Sequence, residues 1–178
     1  MKKKIIAAFL TTAMTIGSLS GVTVFAADAG TDENVEMADA SDVDGTTITF
    51  WHSMGGVNGE AIDTLVKKFN DENEYGITVD AQYQGEYDDS LNKLKSAQIG
   101  NMGADLVQVY EIGTRFMIDS GWIVPMQQMI DADSYDVSEI EPNLAAYYTI
   151  DNELYSMPFN SSTPIMYYNK DMFDKAGI

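Results

Sequence analysis

Apolar residues along this chain fall into three regimes. A nearly continuous apolar run follows Met1-Lys2-Lys3-Lys4 from Ile5 to about Ala26, a polar acidic stretch follows it, and from Thr46 onward apolar positions recur with the periods of strands and helices. Thr47-Ile48-Thr49-Phe50-Trp51 is β-branched and aromatic, bounded by Asp44-Gly45 and Gly55-Gly56, and predicts a strand. Ile62, Leu65, Val66 and Phe69 then recur at three and four residues, one face of a helix closing near Asn73. Ile77 to Tyr83 alternates as a second strand, and Tyr87, Leu91, Leu94 and Gln98 share a helical face up to Gly100. Asp105 to Tyr110 is a short, nearly continuous apolar strand of the kind buried in parallel sheets, followed by a helix over Gly113 to Ser120 that Gly121 stops.

After Pro125 the pattern loosens. It predicts short helices over Met126 to Ile130 and Ser138 to Ala146, then a hairpin of Tyr147 to Thr149 with Leu154 to Met157 around Asp151-Asn152. A strand over Ile165 to Tyr168 and the opening of a helix with Met172, Phe173 and Ala176 complete the chain, with no cap expected after that last helix. Strands alternating with helices predict an α/β fold with an open, doubly wound sheet joined by right-handed crossovers.

The two leading regimes carry their own meaning. A positive start, an apolar middle and the small residues Val24-Phe25-Ala26-Ala27 at a cut point make residues 1–26 a signal peptide. A single spanning helix is the competing reading, but a polar tail follows at once and the run contains Thr and Gly. Residues 27–45 alternate Asp28, Asp32, Glu33, Glu36, Asp39, Asp42 and Asp44 with small residues, the composition of an acidic disordered spacer. Export raises the question of disulfides, yet the 178-residue chain has no cysteine, so packing alone must hold the fold. Leu19-Ser20-Gly21-Val22 likewise has valine where a bacterial lipid anchor needs an acylated cysteine. The expectation is an exported protein, periplasmic or extracellular at the cell surface, without that anchor.

The net charge is −18, and the part beyond residue 26 holds seven basic against 28 acidic side chains, a net of −21. Such a chain repels nucleic acid and anionic membranes. Hydrolytic chemistry would have to rest on His52, the single histidine, with Ser53, Ser161 or Ser162, and no nucleophile signature such as Gly-x-Ser-x-Gly accompanies them. No glycine-rich phosphate loop follows the first strand. Asp131 to Asp136 opens like a calcium loop but has Asp136 where the loop needs glycine and Pro142 at its twelfth position, so no metal or other cofactor is expected.

Strand ends in α/β folds are where ligands sit, and this chain puts aromatic rings and small hydroxyls there. Trp51 and His52 close the first strand, Tyr87 opens a helix just past the second, and Glu111 follows the third directly. Each ring presents an apolar face and a polar tip suited to a polyol or sugar. Glu111 suits ligand hydroxyls, or equally the dipole of its own helix. Ser161, Ser162 and Thr163 offer hydroxyls and amides that hold a phosphate without a side-chain cation, while Asn160 reads as a turn residue.

Phe50-Trp51-His52-Ser53-Met54, Gly85-Glu86-Tyr87, Leu106-Val107-Gln108-Val109-Tyr110-Glu111 with Gly113-Thr114, and Pro158-Phe159-Asn160-Ser161-Ser162-Thr163-Pro164 through Tyr167-Tyr168-Asn169-Lys170-Asp171 together resemble the extracellular solute-binding proteins (family 1) of ATP-binding-cassette importers, in particular their glycerophosphate-binding branch. The resemblance covers Thr46 to Ile178. It implies a type II periplasmic-binding-protein-like fold of two α/β lobes closing over the ligand, with this chain covering mainly the first. Residues 46–162 are then the N-terminal lobe, and 163–178 are the hinge crossing and the start of a truncated second lobe. It further implies that Tyr87, Glu111 and Ser162 contact ligand, Glu111 on glycerol hydroxyls and the other two nearer the phosphate. The implied protein is a monomer and not an enzyme. It captures glycerol-3-phosphate or a glycerophosphodiester for an ABC permease in the membrane, a neutral sugar or oligosaccharide being the alternative ligand and a secreted hydrolase the remote alternative.

Overall fold

The computed structural model describes residues 42–100 and 102–178; the signal peptide and the spacer up to residue 41 lie outside the described residues. Its centre is a three-stranded parallel sheet in the order β2-β1-β3, with β1 at Thr47–His52, β2 at Thr78–Tyr83 and β3 at Leu106–Val107. β1 pairs with β2 along its whole length, from Thr47 opposite Thr78 to His52 opposite Tyr83, and with β3 only at Phe50 and Trp51. Helix α1 (Gly56–Glu72) carries the chain from β1 out to β2, and α2 (Tyr87–Gln98) carries it back past β1 to β3. The two crossovers run in opposite directions, and the right-handed rule for parallel connections then puts these helices on opposite faces, the doubly wound arrangement.

β3 is shorter than the predicted strand over Asp105 to Tyr110. The backbone bonds of Asp105 to Thr49 and of Gln108 to Trp51 extend the pairing by one residue at each end. Beyond them Tyr110 already serves as the cap of α3 (Glu111–Ser120), so no ladder partner remains. Gly121, left-handed at φ 66°, ends α3 as expected.

Buried apolar residues come from every layer: Phe50 in β1, Ile62 in α1, Leu94 in α2 and Met117 in α3. The predicted apolar face of α1 is only partly used. Ile62 is buried while Leu65 and Phe69 remain exposed, because β2 is the sheet edge and the outer flank of α1 has no strand beneath it. At the opposite end of the strands Val43 packs with Ile77, Ile48 and Tyr75, and Gly45 donates to the Gly76 carbonyl. The packed unit therefore takes in Val43 to Gly45, which sequence pattern assigns to the disordered spacer; the burial of Val43 against Ile77 outweighs its acidic surroundings.

Two asparagines join α1 to β2. Asn70 accepts from the Val79 N–H at 2.7 Å and donates to the Val79 carbonyl at 2.9 Å, occupying backbone groups that the edge strand turns away from β1. Asn73 caps α1, donating to the Phe69 and Ile77 carbonyls and accepting from the Tyr75 and Ile77 N–H groups.

The second half is built of short elements. α4 (Met126–Asp133) runs further than predicted and ends at Ser134 in the left-handed region, φ 54°. α5 (Pro142–Tyr147) is shorter than predicted, because Pro142 fixes the start of its first turn. The hairpin turns at Asp151-Asn152 as expected, both at positive φ as a two-residue turn between twisted strands requires, but its strands are shorter and closer to the turn than predicted: β4 (Thr149–Ile150) and β5 (Glu153–Leu154), with Tyr147 taken by α5. The predicted strand over Ile165 to Tyr168 is absent. These four residues are 66, 87, 88 and 61% exposed and lie beside no strand that could pair with them. α6 (Lys170–Ala176) is capped at both ends, contrary to expectation: the Asn169 side chain accepts from the Met172 N–H, and Gly177 takes a left-handed conformation.

Asn73→Ala leaves the Ile77 N–H and C=O groups without partners at a part-buried turn, so it should lower unfolding free energy by about 1–3 kcal/mol, measured by urea denaturation, with the secondary-structure signal of the folded state unchanged.

Candidate functional site

The carboxyl ends of β1 and β3 and the amino ends of α2 and α3 converge on one side of the sheet, where the strand order reverses. Tyr87 is the first residue of α2, Tyr110 caps α3, and their rings stack 5.3 Å apart at 10°. The Tyr110 hydroxyl donates to Asp88, and that hydrogen bond is the main reason its phenol is pushed above the ordinary tyrosine value. Glu111 follows as the first residue of α3, exposed, with its carboxylate in the turn where the helix dipole favours negative charge. The ligand-facing and dipole readings of Glu111 are therefore compatible in one position.

A close helix approach makes this convergence possible. Gly113 is buried in the first turn of α3, and a Cβ there would stand 2.6 Å from Val109 Cγ1 and 3.3 Å from Leu91 Cδ2. Only a residue without a side chain lets α3 start against α2. Tyr148, at the end of α5, borders the same cluster: burial pushes its phenol up, and the Glu111 carboxylate adds to the shift.

A chain of side-chain amides runs beneath Tyr87. The Ser53 N–H donates to Gln108 Oε1 at 2.9 Å, Gln108 Nε2 donates to Asn160 Oδ1 at 2.8 Å, and Asn160 Nδ2 donates to the Tyr87 hydroxyl at 3.2 Å. It connects the end of β1, the end of β3, the segment after β5 and the start of α2. Gln108 and Asn160 were not among the expected site residues, and Asn160 is a tether to Tyr87 rather than a mere turn residue. A signal existed for Gln108: an amide inside an apolar strand, here buried, has to find partners.

The other expected site residues are placed differently. Trp51 is half-buried, its indole N–H donating to Gln82 of β2 at 3.1 Å, which holds the ring along the sheet rather than at the Tyr87 cluster. His52 is a correction: at 3% exposure it sits inside, its ring 5.5 Å from Phe50 and 6.0 Å from Tyr83, because strand alternation points it to the same face as Phe50. Its Nδ1 accepts from the Met54 N–H at 3.3 Å, a bond within the loop after β1. Ser161 and Ser162 lie on the exposed, extended segment after Asn160. Arg115, the chain's one arginine, pairs with Asp119 at 2.7 Å along α3. The site is thus acidic, aromatic and open. Two hollows lie elsewhere, one of about 500 Å³ against Phe69 and Tyr75 and one of about 240 Å³ beside α6.

Residues 64–178, from the middle of α1 through α6, match the model of the bacterial extracellular solute-binding protein family. The chain belongs to that family. It is 44% identical over 139 residues to the sn-glycerol-3-phosphate-binding periplasmic protein UgpB of Salmonella typhimurium, covering 75% of this chain and 31% of that protein. UgpB of Escherichia coli K12 is 42% identical over 139 residues, with the same shares. The chain therefore spans about a third of the length of these curated relatives. Among solved structures, the Listeria monocytogenes ABC substrate-binding protein Lmo0181 in complex with cycloalternan aligns at TM-score 0.53 and 24% identity, over 75% of this chain and 34% of that one. CpMnBP1 with mannobiose bound aligns at TM-score 0.56 and 20% identity, again over 75% and 34%. These likenesses establish the expected fold: one α/β lobe of a solute-binding protein. Among the described residues no helix is long and apolar enough to cross a membrane.

Burial lowers the His52 pKa, against an opposing pull from Asp63. The unfolded chain then binds the extra proton first as pH falls below about 6.5, so stability from neutral His52 is complete above that pH and lost below it. Thermal melts from pH 7.5 to 5.0 should show wild type losing stability relative to His52→Gln, a difference in which the shared relief of carboxylate repulsion cancels.

Proposed function

We propose that the full-length protein is the substrate-binding component of an ABC importer, capturing glycerol-3-phosphate or a glycerophosphodiester and handing it to a membrane permease. The observation that carries this reading is the Tyr87, Tyr110, Glu111 cluster at the topological switch point of a chain 44% identical to proteins named for sn-glycerol-3-phosphate binding. Glu111 accepts from the glycerol hydroxyls, since an ionised carboxylate only accepts. The phosphate sits toward Tyr87 and Ser162, away from Glu111, where hydroxyls and backbone amides donate to it. Cations that neutralise it come from beyond this lobe, because Arg115 is committed to Asp119.

Residues 46–162 form the first lobe, and 163–178 are the crossing into a second. The exposed Ile165, Met166, Tyr167 and Tyr168 then pair within that lobe. Binding works by closure: contacts from both lobes stabilise the closed form, and ligand shifts the population toward it without covalent chemistry. The leading residues 1–26 direct export, the acidic stretch after them is a tether, and the protein acts as a periplasmic or cell-surface monomer.

Calorimetric titration of the full-length mature protein with glycerol-3-phosphate, glycerophosphocholine and maltose in parallel tests this. Saturable binding of a phosphate ligand, weakened about tenfold or more by Glu111→Ala as befits a hydrogen bond to a charged group, is the expected result. Binding of maltose alone would keep the importer role and move the ligand to sugars; binding of none would remove the reading.

A further inference from the structure

We infer that the amide chain beneath Tyr87 is a directional relay that turns the Tyr87 hydroxyl into an obligatory donor toward the cleft, making it selective for a ligand group that only accepts hydrogen bonds. This rests on the glycerophosphate reading of the same site and assigns Gln108 and Asn160 as its positioning residues.

The direction follows from the first link. The Ser53 backbone N–H can only donate, so the Gln108 atom 2.9 Å away must be its carbonyl oxygen. Gln108 then presents its NH₂ to Asn160, whose atom 2.8 Å away must be the oxygen. Asn160 therefore presents its own NH₂ to Tyr87, and the phenol oxygen accepts at 3.2 Å. With a lone pair committed there, the phenol hydrogen points elsewhere. Stacking on Tyr110 fixes the ring plane in which it lies, and Tyr110 takes no part in the exchange because its own hydroxyl donates to Asp88. The first link is locked: Ser53 and Gln108 are buried, and the Gln108 backbone is fixed by its N–H bond to the Trp51 carbonyl. A buried amide with both ends engaged cannot flip without leaving two like groups facing each other. A phosphate oxygen accepts from Tyr87 at full strength; a sugar hydroxyl, which both donates and accepts, gains less from a fixed donor.

The relay can be reversed by near-isosteric change. In Asn160→Asp the carboxylate accepts from Gln108 and from Tyr87 alike, so the phenol hydrogen turns inward; Gln108→Glu flips Asn160 to the same effect. Asn160 is exposed, so its variants test the relay without disturbing the core. In the full-length protein, Asn160→Asp should weaken glycerol-3-phosphate binding about tenfold or more, while Asn160→Ala, which frees the phenol to rotate, should weaken it less than about threefold. A residue that merely fills space would give the opposite order. Added negative charge is separated from donor reversal by the same substitution in Tyr87→Phe: the penalty of Asn160→Asp should vanish there, and an equal penalty in both backgrounds would overturn the relay.

A ligand-free measurement keeps the relay distinct from the choice of ligand. The Asn160 side-chain amide resonances should shift in Tyr87→Phe and in Gln108→Leu and stay in place in Glu111→Gln. Shifts in both, in a protein that ignores glycerol-3-phosphate, would uphold the relay and sink the glycerophosphate reading. Unmoved resonances would sink the relay whatever the ligand.

Discussion

The parallel pairing of β1 with β2, from Thr47 opposite Thr78 to His52 opposite Tyr83, is the constraint on which the rest of the structure depends. A parallel pair needs a crossover, so α1 must span it, and the same geometry sends α2 back across β1 to reach β3. Both of β1's neighbours are in place by residue 107, and α2 and α3 each begin within a few residues of a strand's end. Tyr87 opens α2 after β2 and Glu111 opens α3 after β3, and the stack between Tyr87 and Tyr110 brings the start of α2 against the cap of α3.

Polar groups do as much as apolar ones to hold this small sheet. Asn70 and Asn73 satisfy the backbone where β2 meets solvent and where α1 turns into it. Gln108 carries hydrogen bonds between strand ends that have no further ladder to join them. Each such amide works because it is fully engaged; half-satisfied, it would cost more than an apolar replacement. The described apolar core is modest by comparison, with Leu94 and Met117 the most completely buried of its side chains, and the apolar surface over Ile165 to Tyr168 remains open.

Legibility of the sequence varied with the range of the interaction. The period of β1, α1, β2 and α2 could be read directly because each carries its own repeat of apolar positions. Asp151-Asn152 announced the hairpin because few residues tolerate positive φ in succession. Lengths were less legible: β3 keeps two ladder residues of an apolar run of six, since a strand lasts only as long as its neighbour does. The run over Ile165 to Tyr168 has strand composition and no strand, for want of anything to pair with.

The candidate site divides along the same line. Tyr87 and Glu111 were legible, because a polar or aromatic residue directly after a strand must stand at the strand's end. His52 was misread as a ligand contact: its position two residues after Phe50 put it on the buried face, a matter of which face the core occupies. Gln108 and Asn160, 52 residues apart in sequence, form a pair that no local pattern could announce. By itself, then, the sequence determined the alternation of elements, the class of fold and the residues at strand ends, all of which follow from local periodicity and turn chemistry. Only the tertiary structure decided which of those residues meet, which face is buried and which way the amides point, because hydrogen-bond direction is settled by partners brought together from distant parts of the chain.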